Sequence, residues 1–166
     1  MKEDEVPPPR FLTDGSGSVP LSSSAGDPAA TLSAGLPLSP GAAVREMTFC
    51  VGDLPDVRDF AALQARRAGM AEAEIGDYLV AVNEVATNAV THGAAKARLR
   101  VWSDRGDLMV DVHDDGQWAP DGPQGMIAPH DYSTSGMGLW VARRLASALS
   151  LRTGLSGTNV TMRFPL

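Results

Sequence analysis

A chain of 166 residues suffices for one ordinary domain and is short for two. Its formal charge of −6 argues against a function driven by neutralising nucleic-acid phosphates. One cysteine, Cys50, excludes an internal disulfide framework and a Cys-rich zinc site, and no apolar run reaches the roughly 18 residues of a membrane span.

The N-terminus, MKEDEVPPPR, lacks the basic and apolar regions of a secretion signal, so the expected compartment is the cytoplasm. Residues 1–44 hold seven of the 12 prolines, with seven serines and five glycines. No apolar period runs through them, and such a segment buries too little apolar surface to offset its ordering entropy. It reads as a disordered tail, with the ordered domain over 45–166; a regulatory arm is the alternative.

From Arg45 the texture changes. "REMTFCV" alternates Met47, Phe49 and Val51 with mostly polar residues and predicts a half-buried strand carrying Cys50 as a small core residue. Asp53 and Pro55 signal the start of a helix reaching about Ala68. A second helix is predicted from about Ala71 to Thr91, stopped by Gly93, with Ile75, Leu79, Val82, Ala86 and Ala89 on its buried face. "KARLRVWS" and "DLMVDVH" read as strands joined by the turn "DRGD". Residues 115–135 are rich in Gly, Pro and Asp and read as a long loop. "GMGLWVARRLASAL" predicts a third helix, and "LSLRTG" and "TNVTMRFP" predict two closing strands around "LSG". The order β-α-α-β-β-loop-α-β-β suits a two-layer α/β sandwich, with helices on one face of a mainly antiparallel sheet.

Four places on this framework could carry chemistry. On the second helix, Glu84, Asn88 and His92 recur every four residues beside the apolar face. They are either an ordinary polar stripe or a proton acceptor followed by an amide able to ligate a hard cation. In "VDVHDDGQW", alternation puts Asp114 on the same face as Leu108, Val110 and Val112. A carboxylate closing a buried row requires donors, and an adenine amino group is one; starting a turn with Asp115 and Gly116 is the other reading. In "STSGMGLW", Gly136 and Gly138 open a helix whose free N–H groups favour an anion, or simply make a flexible start. Thr158, entering the last strand, is either a hydroxyl for a buried polar partner or a plain β-branched strand residue.

Together, Glu-x-x-x-Asn, a strand ending Asp-x-Gly, a long loop, Gly-x-Gly-Leu and a final Gly-Thr resemble the GHKL (Bergerat-fold) ATP-binding superfamily. "AVNEVATNAVTHG" is most similar to its anti-sigma-factor serine/threonine kinase branch, the RsbW type. The resemblance covers about residues 45–166. It implies ATP and Mg²⁺ as cofactors. It implies Glu84 as general base and Asn88 as the metal ligand, with His92 supporting the site. It further implies Asp114 as acceptor of the adenine amino group with Gly116 beside the base, and Thr158 supporting that Asp. Residues 117–135 correspond to a lid over the nucleotide. Gly136, Met137, Gly138 and Leu139 form the phosphate-facing helix start. The implied partners are an anti-anti-sigma (STAS-type) protein and a sigma factor, bound in alternation, together with a homodimer. A non-catalytic ATP-binding switch and a detached histidine-kinase catalytic domain are the alternatives.

Two features depart from the family pattern. Trp118 stands where Asp-x-Gly-x-Gly places its second glycine, and an indole there would reshape the lid. No Lys or Arg occurs between Arg105 and Arg143, so the lid has no permanent cation for the terminal phosphate, and Mg²⁺, the Gly136 helix start and His130 are the partial substitutes.

Overall fold

The computed structural model describes residues 40–116 and 137–166. The tail expected over 1–44 lies outside these residues as far as position 39, and the lid with Trp118, His130 and Gly136 lies outside them too.

Five strands form one antiparallel sheet in the order β1-β2-β3-β5-β4. They are β1 (Arg45–Phe49), β2 (Ala97–Asp104), β3 (Asp107–Asp114), β4 (Ala148–Gly154) and β5 (Gly157–Pro165). Helices α1 (Leu54–Ala68), α2 (Glu72–Asn88) and α3 (Met137–Leu145) supply the other layer. The expected element order and the two-layer α/β architecture are therefore observed.

Local chemistry sets the turns. Arg105 and Gly106 have φ of 52° and 87°, the paired positive angles of a two-residue hairpin whose twist matches its strands. Asp104 and Asp107 close that hairpin as partners. Pro55 lies in the first turn of α1, where a missing N–H costs nothing. Gly69 ends the helix at φ 93°, with Met70 N donating to the Ala65 carbonyl at 3.0 Å.

Two boundaries and one helix face differ from expectation. β1 stops at Phe49; Val51 is 64% exposed in a short 3₁₀ turn, and Cys50 is half-buried rather than a core residue. The Asp53 carboxylate bends the chain there by accepting from Cys50 N at 2.9 Å and Sγ at 3.1 Å. On α2, Tyr78 is fully buried and Leu79 only half-buried, so the core face runs through 75, 78, 82, 85 and 86. Finally, α3 ends at Leu145, not 149, because β5 captures the following chain. Ser147 donates N–H and hydroxyl to the Arg163 carbonyl at 2.9 and 3.0 Å, and Ala148 pairs with Arg163. Sheet pairing overrides the helical pattern of "ASAL".

The core lies between the layers. Leu99, Val101, Val110 and Val112 of the sheet meet Val57, Ala61, Val82 and Leu139 of the helices. Alanines at 61, 65, 81 and 86 are completely buried and let the helices approach closely. Tyr78 stands edge-on to Phe164 at 4.9 Å, and its hydroxyl is buried with no hydrogen-bond partner. Burial pushes that phenol's pKa up. β3 is buried on its other face as well, where Arg100 forks onto Asp111 at 2.8 and 3.2 Å and Thr161 donates to it at 2.9 Å. No helix among the described residues is long and apolar enough to cross a membrane.

Candidate functional site

The ends of four elements converge on one narrow slot. α2 brings Val85 and Asn88 to it, and the turn after α2 adds Ala89 and Gly93; β3 ends in it with Val112 and Asp114. β5 contributes Thr158 and Val160, and α3 seals one side with Leu139. Apolar walls with a few convergent polar groups are the lining that a flat aromatic ligand requires.

Asp114 is the polar end of the slot and only 4% exposed. It is paired across the sheet with Ala97 on one side and Thr158 on the other. Its Oδ1 accepts the Gly116 N–H at 2.9 Å. Loss of water raises its pKa, opposed by that N–H and by His113, with Asp115 adding to the rise. The Thr158 hydroxyl donates to the Gly116 carbonyl at 3.4 Å and so acts on the Asp-x-Gly turn, not on the carboxylate itself.

Glycines make this crowding feasible. A Cβ on Gly93 would overlap the Asp114 carboxyl group, and one on Gly116 would overlap the Gly93 backbone. Gly157, at φ 105°, lies against the Asp114 carbonyl. On the far side, a Cβ on Gly138 would overlap Glu84 Oε2, so the Glu84 carboxylate lies against the start of α3.

The expected four-residue stripe breaks after Asn88. Residues Ala89–Gly93 form a π turn, with Ala94 N bonded to the Ala89 carbonyl at 3.0 Å. Its wider pitch carries His92 off the stripe, and the imidazole is exposed and does not line the cavity. Met137 is 48% exposed at the first turn of α3, whereas Leu139 is buried in the slot wall. Gly136 and Trp118 are outside the described residues. Sequence reasoning missed the packing roles of Gly93 and Gly157, and the apolar lining from Val85, Ala89, Val112 and Val160. The legible signal was Val85 and Ala89 flanking Asn88; nothing local marks Gly93 as more than a helix stop.

Cations are scarce here. Arg143, first after the lid, donates to the Leu149 carbonyl at 3.2 Å, and Arg144 stacks 5.9 Å from the Trp140 ring centroid. Both are engaged along α3 and β4.

The profile of the histidine kinase-like ATPase domain matches residues 50–164. The chain belongs to that family. No curated protein matches it. Among solved structures it is similar to the RsbU and RsbW domains of Rv1364c from Mycobacterium tuberculosis. Identity is 23% over 75% of this chain and 32% of that one, with a TM-score of 0.54. The SiaB–SiaC complex from Pseudomonas aeruginosa matches at 16% identity over 71% of this chain and 88% of that one, TM-score 0.50. A blue-light activated histidine kinase from Erythrobacter litoralis shares 24% identity over 68% of this chain and 61% of that one, TM-score 0.46. The chain thus spans about a third of the length of that RsbU–RsbW chain.

As a GHKL domain, the chain presents a site whose residues fit the nucleotide the family binds. The slot has apolar walls, its buried carboxylate is a ready acceptor for an amino group, and Asn88 adds an amide oxygen to the lining. Mg²⁺ favours few protein ligands together with phosphate oxygens, which a single amide allows.

Proposed function

We propose that this GHKL domain is an ATP- and Mg²⁺-dependent switch that phosphorylates a serine or threonine of a regulatory protein. The observation that carries the reading is the buried Asp114 carboxylate in a slot that also presents Asn88, with Glu84 against the start of the helix whose Leu139 closes that slot. Asp114 is buried at the base-recognition end, and Glu84 lies against the α3 start where a terminal phosphate would sit. Asp114 would accept the adenine amino hydrogen bond and Asn88 would ligate the metal, which neutralises charge on the phosphates. Glu84 would take the proton from the attacking hydroxyl as its oxygen bonds to the γ-phosphorus and the bond to the β–γ bridging oxygen breaks. The resemblance to the RsbW type supports an anti-anti-sigma (STAS-type) protein as substrate and a sigma factor as the alternative partner, bound by a dimer.

A second reading has its own support. Arg143 and Arg144 are engaged away from the slot and the lid sequence carries no Lys or Arg, so charge neutralisation during transfer rests on few groups. A domain that binds ATP only to set its shape for a partner, or one that serves a histidine in trans, is compatible with the same slot. Incubation with γ-labelled ATP and candidate anti-anti-sigma proteins separates these. Label on a serine or threonine that disappears in Glu84→Ala, with ATP affinity retained, supports the kinase. Nucleotide-dependent partner binding without transfer supports the switch alone. An acid-labile phosphohistidine supports the third.

A further inference from the structure

Gly93 needs no glycine for its own backbone. Its φ is not among the positive ones, which belong to Gly41, Gly69, Gly106 and Gly157. An alanine would therefore be conformationally acceptable in isolation. What forbids it is the neighbour: the missing Cβ would coincide with Oδ1, Cγ and Oδ2 of Asp114 together. From the opposite side, the Gly116 Cα packs so close that a Cβ on it would strike the Gly93 carbonyl and Cα. Gly93 is thus clamped between the carboxyl group and the turn that holds it.

The π turn makes this contact. Its i-to-i+5 bond from Ala94 to Ala89 inserts one residue more than an α turn. The last residue, Gly93, thereby reaches β3, while Asn88 stays at the slot's edge on the helix proper. One five-residue turn therefore ties the proposed metal ligand to the base-recognition carboxylate.

We propose that Gly93 is a positioning residue that holds the Asp114 carboxylate on the axis of the slot and so sets the preference for a base bearing an exocyclic amino group. This rests on the reading that the slot takes the adenine of ATP. The carboxylate can lie against the π turn only while Gly93 presents bare backbone there. A methyl group there displaces the carboxylate from the amino group but leaves the apolar walls from Val85, Val112 and Val160 in place.

The test is nucleotide selectivity in the full chain. Affinity for ATP is compared with that for purine riboside triphosphate, which has the same ring and phosphates but no amino group. The wild type is expected to prefer ATP by roughly tenfold or more, the scale of one hydrogen bond to a buried charged group. In Gly93→Ala the preference should fall below about threefold, with affinity for the purine analogue nearly unchanged. Retained preference, or an equal loss for both nucleotides, overturns the proposal. If Gly93→Ala folds poorly, melting of Gly93→Ala, Asp114→Ser and the double variant decides. The shorter serine should relieve the overlap, so the double variant melts above Gly93→Ala. A double variant melting no higher than Gly93→Ala overturns the contact. A wild type that binds neither nucleotide removes the ATP reading instead, and the melting cycle still tests the packing.

Discussion

Asp114 stands at the end of a buried row and is held by a single backbone N–H, with its pKa raised first of all by loss of water. Its folded-state pKa lies above the unfolded value. Its contribution to stability is therefore fully present below the usual carboxylate pKa and lost as pH rises through the raised value. Asp114→Asn keeps an oxygen for the Gly116 N–H and removes the buried charge, so the nucleotide-free protein should melt higher at pH 7. The difference should vanish near pH 3, and scanning calorimetry at the two pH values checks it. Ligand binding has the opposite dependence, because the adenine amino group is accepted best by the ionised carboxylate. ATP affinity should decline as pH falls through the raised pKa, which titration calorimetry across that range would show. Tyr78 makes a second residue-scale case. Its hydroxyl is buried without a partner, so Tyr78→Phe should leave stability unchanged or raise it by up to about 1 kcal/mol in urea denaturation.

At the scale of elements, the long periodic segments were legible and their ends less so. The span of α1 follows from Pro55 and Gly69, and Gly69→Ala, at φ 93°, should cost about 1–2 kcal/mol by the same denaturation measurement. The β2–β3 hairpin follows from the Asp-Arg-Gly-Asp turn, and its register from alternation of Leu108, Val110 and Val112. Three ends were hidden because non-local contacts decide them. Asp53 pulls Cys50 out of β1, and the β5 ladder stops α3 at Leu145. The third, the π turn, follows from no local residue: "NAVTHG" fits an α-helix equally well, and only the approach to β3 explains the wider pitch. The same limit applies to the site. Asp114 and Asn88 could be picked out from pattern and resemblance, whereas Gly93 and Gly157 matter through a neighbour far along the chain. His92 fits the four-residue spacing, yet the π turn leaves it exposed.

Across the described residues, an antiparallel sheet and three helices bring the ends of α2 and β3 and the starts of β5 and α3 to one slot, as befits a histidine kinase-like ATPase domain. Asp114 lines that slot while Glu84 lies outside its lining, against Gly138 at the start of α3, so their removal should separate binding from chemistry. Glu84→Ala should retain ATP binding within a few-fold and lower phosphoryl transfer by about 10²–10⁴-fold, the scale of a lost general base. A filter assay with labelled ATP, run beside an equilibrium-binding measurement, reads both. Underlying both is the proposal that ATP binds in the Asp114 slot. Thermal melting with ATP and Mg²⁺ tests it most directly, since a ligand at 100 times its dissociation constant stabilises by about 2.7 kcal/mol. The wild type should melt several degrees higher with ATP and Asp114→Asn should not respond, although it melts higher without nucleotide. An unresponsive wild type, or an equal response from Asp114→Asn, would contradict it.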